Sequence, residues 1–109
     1  MTAEAFKDYL AQLGADYRRE LPARLAHLDT LWHAVVSGKG ARVASDELKR
    51  ELHTLVGTAQ TMGLPAVTAA ARALESHLEP VFAQGGAPDV EMQANTTALF
   101  GALKRSVNK

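Results

Sequence analysis

The stretch Asp46–Gly63, DELKRELHTLVGTAQTMG, is the most informative part of the chain. Its apolar residues recur at intervals of three and four, which predicts an amphipathic helix with one buried face. That apolar face consists of Leu48, Leu52, Leu55, Ala59 and Met62. Because an α-helix turns by about 100° per residue, His53 falls roughly 140° from the centre of this face. The imidazole is therefore predicted to point into solvent.

Gly57 follows one turn after His53, inside the same predicted helix. A glycine in a helix interior costs roughly 1 kcal/mol relative to alanine. It does not mark the end of the helix, because the apolar period continues beyond it. A glycine at this place lowers the surface beside the imidazole and allows another molecule to approach closely. The alternative interpretation is a tolerated glycine at an ordinary surface position.

The spacing of these residues resembles the signature of the histidine-containing phosphotransfer (HPt) domain. That signature is His-x-Leu-x-Gly-Ser/Thr on a helix, a Gly-Leu or Gly-Ala turn, and a Leu-Glu pair on the next helix. This chain has HTLVGT at 53–58, GL at 63–64 and LE at 74–75. Two positions differ from many members. Val56 stands where a lysine is common, and Leu52 stands where alanine is common.

The resemblance implies a phosphoryl carrier. His53 would accept a phosphoryl group from one receiver-domain aspartate and donate it to another, between a hybrid sensor histidine kinase and a response regulator. The receiver domain would supply Mg²⁺, acidic residues and a lysine, so this chain would need no cofactor of its own. Val56, Gly57 and Gln60 around His53 are the predicted docking surface, with Val56 as an exposed apolar contact. Lys49 and Arg50 are the candidates to replace the missing lysine as phosphate-stabilising cations.

The remaining sequence predicts more helices and no strand, since strict alternation of apolar and polar residues never persists. A short first helix begins after Thr2, a plausible N-cap, and Gly14 either ends it or lies inside a longer helix. A long helix follows over 16–36, with Pro22 in its first turn or at a kink.

The later helix boundaries rest on glycine and proline signals. The helix that carries His53 is predicted to start near Ala44 or Ser45 and to end at Gly63. The next helix covers 64–84, with Pro80 kinking it or ending it near residue 79. Asp89 is expected to begin the last helix.

These elements predict an all-α protein. The predicted architecture is an antiparallel up-down four-helix bundle with an additional short N-terminal helix packed across one end. The length of 109 residues favours a single domain, 1–109.

Composition argues against several function classes. Twelve basic residues balance twelve acidic ones, which is a poor match to a nucleic-acid-binding surface. No apolar run approaches the length of a membrane span, and the N-terminus does not resemble a secretory signal. We therefore expect no contact with nucleic acid or membrane and a cytoplasmic location. Absence of cysteine excludes disulfides and thiol catalysis.

Three alternatives to phosphotransfer can be weighed from the sequence. A carboxylate-bridged metal site in a bundle needs Glu-x-x-His pairs, and none is present, so no metal is expected. Autonomous kinase activity needs a nucleotide-binding motif, and no P-loop occurs. We therefore expect a carrier that is not an enzyme. A helical adaptor that binds a signalling partner without phosphoryl transfer remains open, with His53 as an ordinary surface residue.

Overall fold

The computed structural model describes residues 2–85 and 87–108. They form four α-helices: α1 (Ala3–Ser37), α2 (Ala41–Thr61), α3 (Pro65–Gln84) and α4 (Val90–Ser106). The described residues contain no strand. The predicted all-α four-helix architecture is confirmed.

Several helix ends follow the local sequence signals. The backbone N–H of Ala5 donates to Thr2 Oγ1 at 3.0 Å, and that of Met92 donates to Asp89 Oδ1 at 2.8 Å. Both side chains therefore satisfy amide groups that would otherwise lack partners at a helix N-terminus. Gly63 adopts φ +72°, a conformation that favours glycine and reverses the chain between α2 and α3.

The prediction of a separate short N-terminal helix is wrong, because α1 runs without a break through 35 residues. Gly14 lies buried inside α1, where a Cβ would stand only 3.4 Å from the carbonyl oxygen of Met62. Gly14 therefore packs against the end of α2 and does not end the helix. Residues before Gly14 project beyond the bundle, which leaves Phe6 and Tyr9 exposed.

The structure also decides two other helix boundaries: the start of α2 differs from the prediction, and the end of α3 agrees with the predicted range of 64–84 and not with an end near residue 79. α2 begins at Ala41, three residues earlier than the first predicted start, because the buried side chains of Ala41 and Ala44 extend its packed face. α3 continues through Pro80 to Gln84. A proline this close to a helix C-terminus removes one hydrogen bond, while Val81 and Phe82 beyond it remain packed in the core.

Contacts between α1 and α2 show that they are antiparallel. Gly14, early in α1, lies beside Met62 after the end of α2, whereas His27 Nε2 lies 3.6 Å from Glu47 Oε1 near the start of α2. α4 closes the bundle by packing against both α3 and α1. Two contacts join it to α1: Arg18 Nη1 donates to the Val107 carbonyl at 2.8 Å, and Lys104 Nζ lies 3.2 Å from Asp29 Oδ2.

The core lies along the bundle axis and includes the predicted apolar face of α2. Leu48, Leu52 and Ala59 are fully buried, and Leu55 is nearly so. Val56 also belongs to this core, with only 6% of its surface exposed. The prediction that Val56 is an exposed contact is therefore wrong. Its side chain is packed among the other buried apolar residues of the bundle.

Burial of Val56 predicts a large stability cost for its truncation. Val56→Ala should lower the free energy of unfolding by about 2 kcal/mol, because it removes two buried carbons and leaves a cavity. Val43→Ala is the matched control, since Val43 lies on the same helix and is 71% exposed. The control should change stability by less than about 0.5 kcal/mol. Urea unfolding of both variants measures the difference, and equal stabilities would contradict the burial of Val56.

Candidate functional site

His53 projects from the middle of α2 on the side opposite the core. Its side chain is 80% exposed, whereas Leu52 beside it is fully buried. This contrast follows from the helical period, which separates adjacent residues by about 100°. The predicted exposure of the imidazole is confirmed.

Glu75 on α3 holds the imidazole of His53 in place. His53 Nδ1 lies 2.8 Å from Glu75 Oε2, within hydrogen-bond distance. An ionised carboxylate can only accept hydrogen bonds, so Nδ1 carries the proton and donates to Glu75. In the neutral form of the ring, the lone pair therefore lies on Nε2, the nitrogen that Glu75 does not contact.

The sequence alone leaves Glu75 as either a solvated charge or a pairing residue for a nearby helix, with no catalytic role. A signal for its position was present. In an antiparallel helix pair with a tight turn, residues equally distant from the turn face each other. His53 and Glu75 are each eleven residues from Leu64, which lies in the turn between α2 and α3.

The surface beyond His53 along α2 is open. Gly57 is exposed, and among the described residues a Cβ built on it would meet no atom within 4 Å apart from the adjacent backbone of α2 itself. Gln60 is also exposed and accepts a hydrogen bond from Arg72 Nη2 of α3 at 3.4 Å. The structure thus brings two of the three predicted docking residues onto the surface near His53. Val56 does not join them.

Lys49 and Arg50 are exposed on the turn of α2 that precedes His53. By helical geometry they lie about 40° and 60° from His53 around the axis, on opposite sides of it. Within the described part of the chain, neither forms an ion pair. Both cations are therefore close to the imidazole along the helix and accessible to a bound molecule.

The other three histidines occupy different settings. His27 lies beside Glu47, and His33 Nδ1 lies 2.7 Å from the carbonyl oxygen of Asp29. His77 is half-buried, and its Nε2 is buried with no hydrogen-bond partner among residues 2–85 and 87–108. Of the four, His53 alone combines high exposure with a hydrogen bond to a carboxylate of another helix at less than 3 Å, within the described residues.

One group of side chains has the composition of a metal site. The possible ligand atoms of His27, Glu47 and Glu51 lie within 4.8 Å of one another on the α1–α2 side of the bundle. A search of the sequence for Glu-x-x-His pairs misses this group, because its residues come from two helices. Such groups are common at partly exposed helix surfaces without an ion, so we assign no metal, and the expected absence of one stays a prediction.

Comparison with known proteins adds one finding to this geometry. The chain matches the family model of the Hpt domain over residues 8–107, almost its entire length. No curated protein and no solved structure matches the chain. The match includes His53, Gly57 and Glu75, the residues that the structure gathers on one surface. The chain therefore belongs to the Hpt domain family, whose members carry phosphoryl groups in two-component phosphorelays.

Proposed function

We propose that this protein relays phosphoryl groups between receiver-domain aspartates through phosphohistidine at His53. The observation that carries the proposal is the 2.8 Å contact between His53 Nδ1 and Glu75 Oε2, which directs the proton of a neutral imidazole to Nδ1 and leaves Nε2 available on an exposed ring. An exposed nucleophile in a fixed orientation suits in-line attack on a phosphorus atom. Membership of the Hpt family supports the same reaction.

The transfer step needs no proton to leave the imidazole. Nε2 of His53 attacks the phosphorus of a receiver's aspartyl phosphate, so an N–P bond forms while the O–P bond to the aspartate breaks. The aspartate departs as a carboxylate. The proton stays on Nδ1, and the negative charge of Glu75 stabilises the imidazolium that forms. The reverse step delivers the phosphoryl group to the next receiver.

The receiver domain would bring the rest of the chemistry. In this proposal the receiver contributes Mg²⁺, acidic residues and a lysine. This chain contributes a nucleophile held in a fixed orientation and a docking surface. The chain would have no autonomous kinase activity and no cofactor of its own. Its partners would be a hybrid sensor histidine kinase and a response regulator, not nucleic acid.

The docking surface would centre on His53, Gly57 and Gln60. Gly57 offers space next to the imidazole, and Lys49 and Arg50 would stabilise the phosphoryl group from the preceding turn. Each such contact at an exposed site is worth at most roughly 1 kcal/mol. A small exposed interface suits a relay, since a carrier must release each partner after transfer.

The proposed location is the cytoplasm, where the receiver partners of this family are generally found. No helix in the described part of the chain has the length and apolarity that crossing a membrane requires. The alternative function is a helical adaptor that binds a signalling partner without transfer. The two functions differ in what His53 does, so replacement of its imidazole separates them.

His53→Gln should abolish labelling by a receiver that carries a labelled phosphoryl group. Glutamine keeps the polarity and approximate size of the side chain but has no nucleophilic ring nitrogen. His33→Gln is the matched control, because His33 is also exposed on a helix surface. The assay measures acid-labile label on the chain after mixing. Undiminished labelling of His53→Gln would contradict the assignment, and an adaptor would take no label in the unmodified protein either.

Gly57 should matter for docking and not for folding. Gly57→Ala should keep the stability unchanged or raise it by up to about 1 kcal/mol, because alanine favours a helix. Gly57→Leu should also fold, since nothing occupies the space beside Gly57. Its side chain would fill the volume that a receiver needs, so the transfer rate should fall at least about 10-fold, the cost of misplacing reactants by a small distance.

Transfer rates measured beside thermal melting for both Gly57 variants test this expectation. Normal transfer by Gly57→Leu would remove Gly57 from the docking surface. Unfolding of that variant would instead mean that Gly57 packs against another helix.

A further inference from the structure

Arg72 on α3 is a cation on the same side of the bundle as His53. It precedes Glu75 by three residues, so the two side chains share one face of α3. Its Nη2 donates to Gln60 Oε1 at 3.4 Å, across the seam between the helices. Gln60 follows His53 by seven residues and lies within about 20° of it around α2. The guanidinium and the imidazole therefore occupy one continuous strip of surface.

Arg72 lies on the side of His53 toward the C-terminal end of α2, where α2 itself carries no lysine or arginine. The residue three positions after His53 is Val56, which is buried. Lys49 and Arg50 lie on the preceding turn, on the other side of the imidazole along the axis. Arg72 is about 4.5 Å from Glu75 along α3, toward Gly57 and Gln60, because each residue rises 1.5 Å. Its position is thus level with the turn of α2 that follows His53.

The guanidinium of Arg72 is not engaged by a carboxylate in the described residues. Glu75 is the acidic side chain at helical spacing from it, but Glu75 Oε2 accepts from His53 Nδ1. Gln60 is neutral, and a 3.4 Å hydrogen bond between two exposed side chains is readily exchanged for a stronger one. A guanidinium offers five N–H donors in a geometry that matches phosphate oxygens.

The surroundings of Arg72 also leave room for a bound molecule. An open depression of about 250 Å³ is lined by Gln60, Ala69 and Arg72 among its residues. It extends from Arg72 toward the turn between α2 and α3, where Gly63, Leu64 and Pro65 also line it. A receiver that covers His53 from this side would meet Arg72 at the edge of the contact.

Building on the proposed phosphotransfer function, we propose that Arg72 binds the phosphoryl oxygens on His53 during transfer, taking the place of the missing lysine. Its guanidinium leaves Gln60 and donates to the oxygens of the group that moves between the aspartate and Nε2. No bond of Arg72 is made or broken, and its charge offsets the negative charge on the transferred group.

Single-turnover transfer from a phosphorylated receiver tests this role at saturating receiver concentration. Arg72→Ala should slow transfer about 5-fold, the value of one ion-pair contact at an exposed site. Arg72→Lys should be intermediate, because lysine keeps the charge and loses the paired donors. Arg105→Ala is the matched control, since Arg105 is exposed on α4, which does not pack against α2. A double Lys49→Ala, Arg50→Ala variant measures the cations of the preceding turn separately.

Two kinetic outcomes would overturn the inference. If Arg72→Ala transfers at the unmodified rate, the phosphoryl charge is met by Lys49, Arg50 or the receiver. If Arg72→Ala only raises the receiver concentration needed for half-maximal rate, Arg72 is a docking contact and does not bind the phosphoryl group. Absence of transfer in the unmodified protein would count against the proposed function itself.

A second measurement needs no receiver. Phosphoramidate phosphorylates histidine chemically, so His53 can be charged in the intact chain and checked against His53→Gln. The side-chain ¹⁵Nε resonance of Arg72 should then shift, whereas that of Arg105 should not. An unshifted Arg72 resonance in the phosphorylated protein would overturn this inference and leave the proposed function standing.

Discussion

The hydrogen bond between His53 and Glu75 depends on the register of two antiparallel helices. α2 ends at Thr61 and α3 begins at Pro65, with Gly63 reversing the chain at positive φ. The Leu64 N–H donates back to the Ala59 carbonyl at 2.9 Å, which closes the end of α2. A turn this short allows little variation in how α2 and α3 are aligned. It therefore fixes which residue of α3 faces the imidazole.

The surface around His53 is separated from the parts of the chain that provide stability. Leu48, Leu52 and Leu74 fill the interior behind it, while the exposed residues of the site contribute little to the core. Gly57 is an unfavourable choice for a helix interior, and its position on open surface is consistent with a functional constraint. A rigid bundle that carries an exposed nucleophile can meet different partners without rearranging its own core.

Helical periodicity predicted the exposure of His53 and Gly57 but not the burial of Val56. By the period, Gly57 and Val56 lie about 40° and 60° from His53, on opposite sides. Periodicity gives these angles without saying on which side the neighbouring helix packs. In the structure Val56 is buried in the core, while Gly57 on the opposite side of His53 is exposed. The position of Arg72 beside Gln60 could not be predicted for the same reason, because it depends on how α2 and α3 pack and not on local sequence.

The error at the N-terminus has a similar cause. Glycine in a helical pattern is a common end signal, and Gly14 was equally consistent with an interior position. The structure selects the interior position, because α1 continues past Gly14 and packs there against the end of α2. The signals at Thr2, Gly63 and Asp89 were reliable because caps and turns are determined by residues close in sequence.

The central claim is that Glu75 keeps the proton on Nδ1 of His53 and leaves Nε2 as the nucleophile. Long-range ¹H–¹⁵N NMR of the imidazole, before and after phosphorylation, tests it most directly. We expect a protonated Nδ1 in the free protein with a neutral imidazole and a bond from phosphorus to Nε2 in the phosphorylated one. A proton on Nε2 in the free protein, or phosphorus on Nδ1, would contradict it.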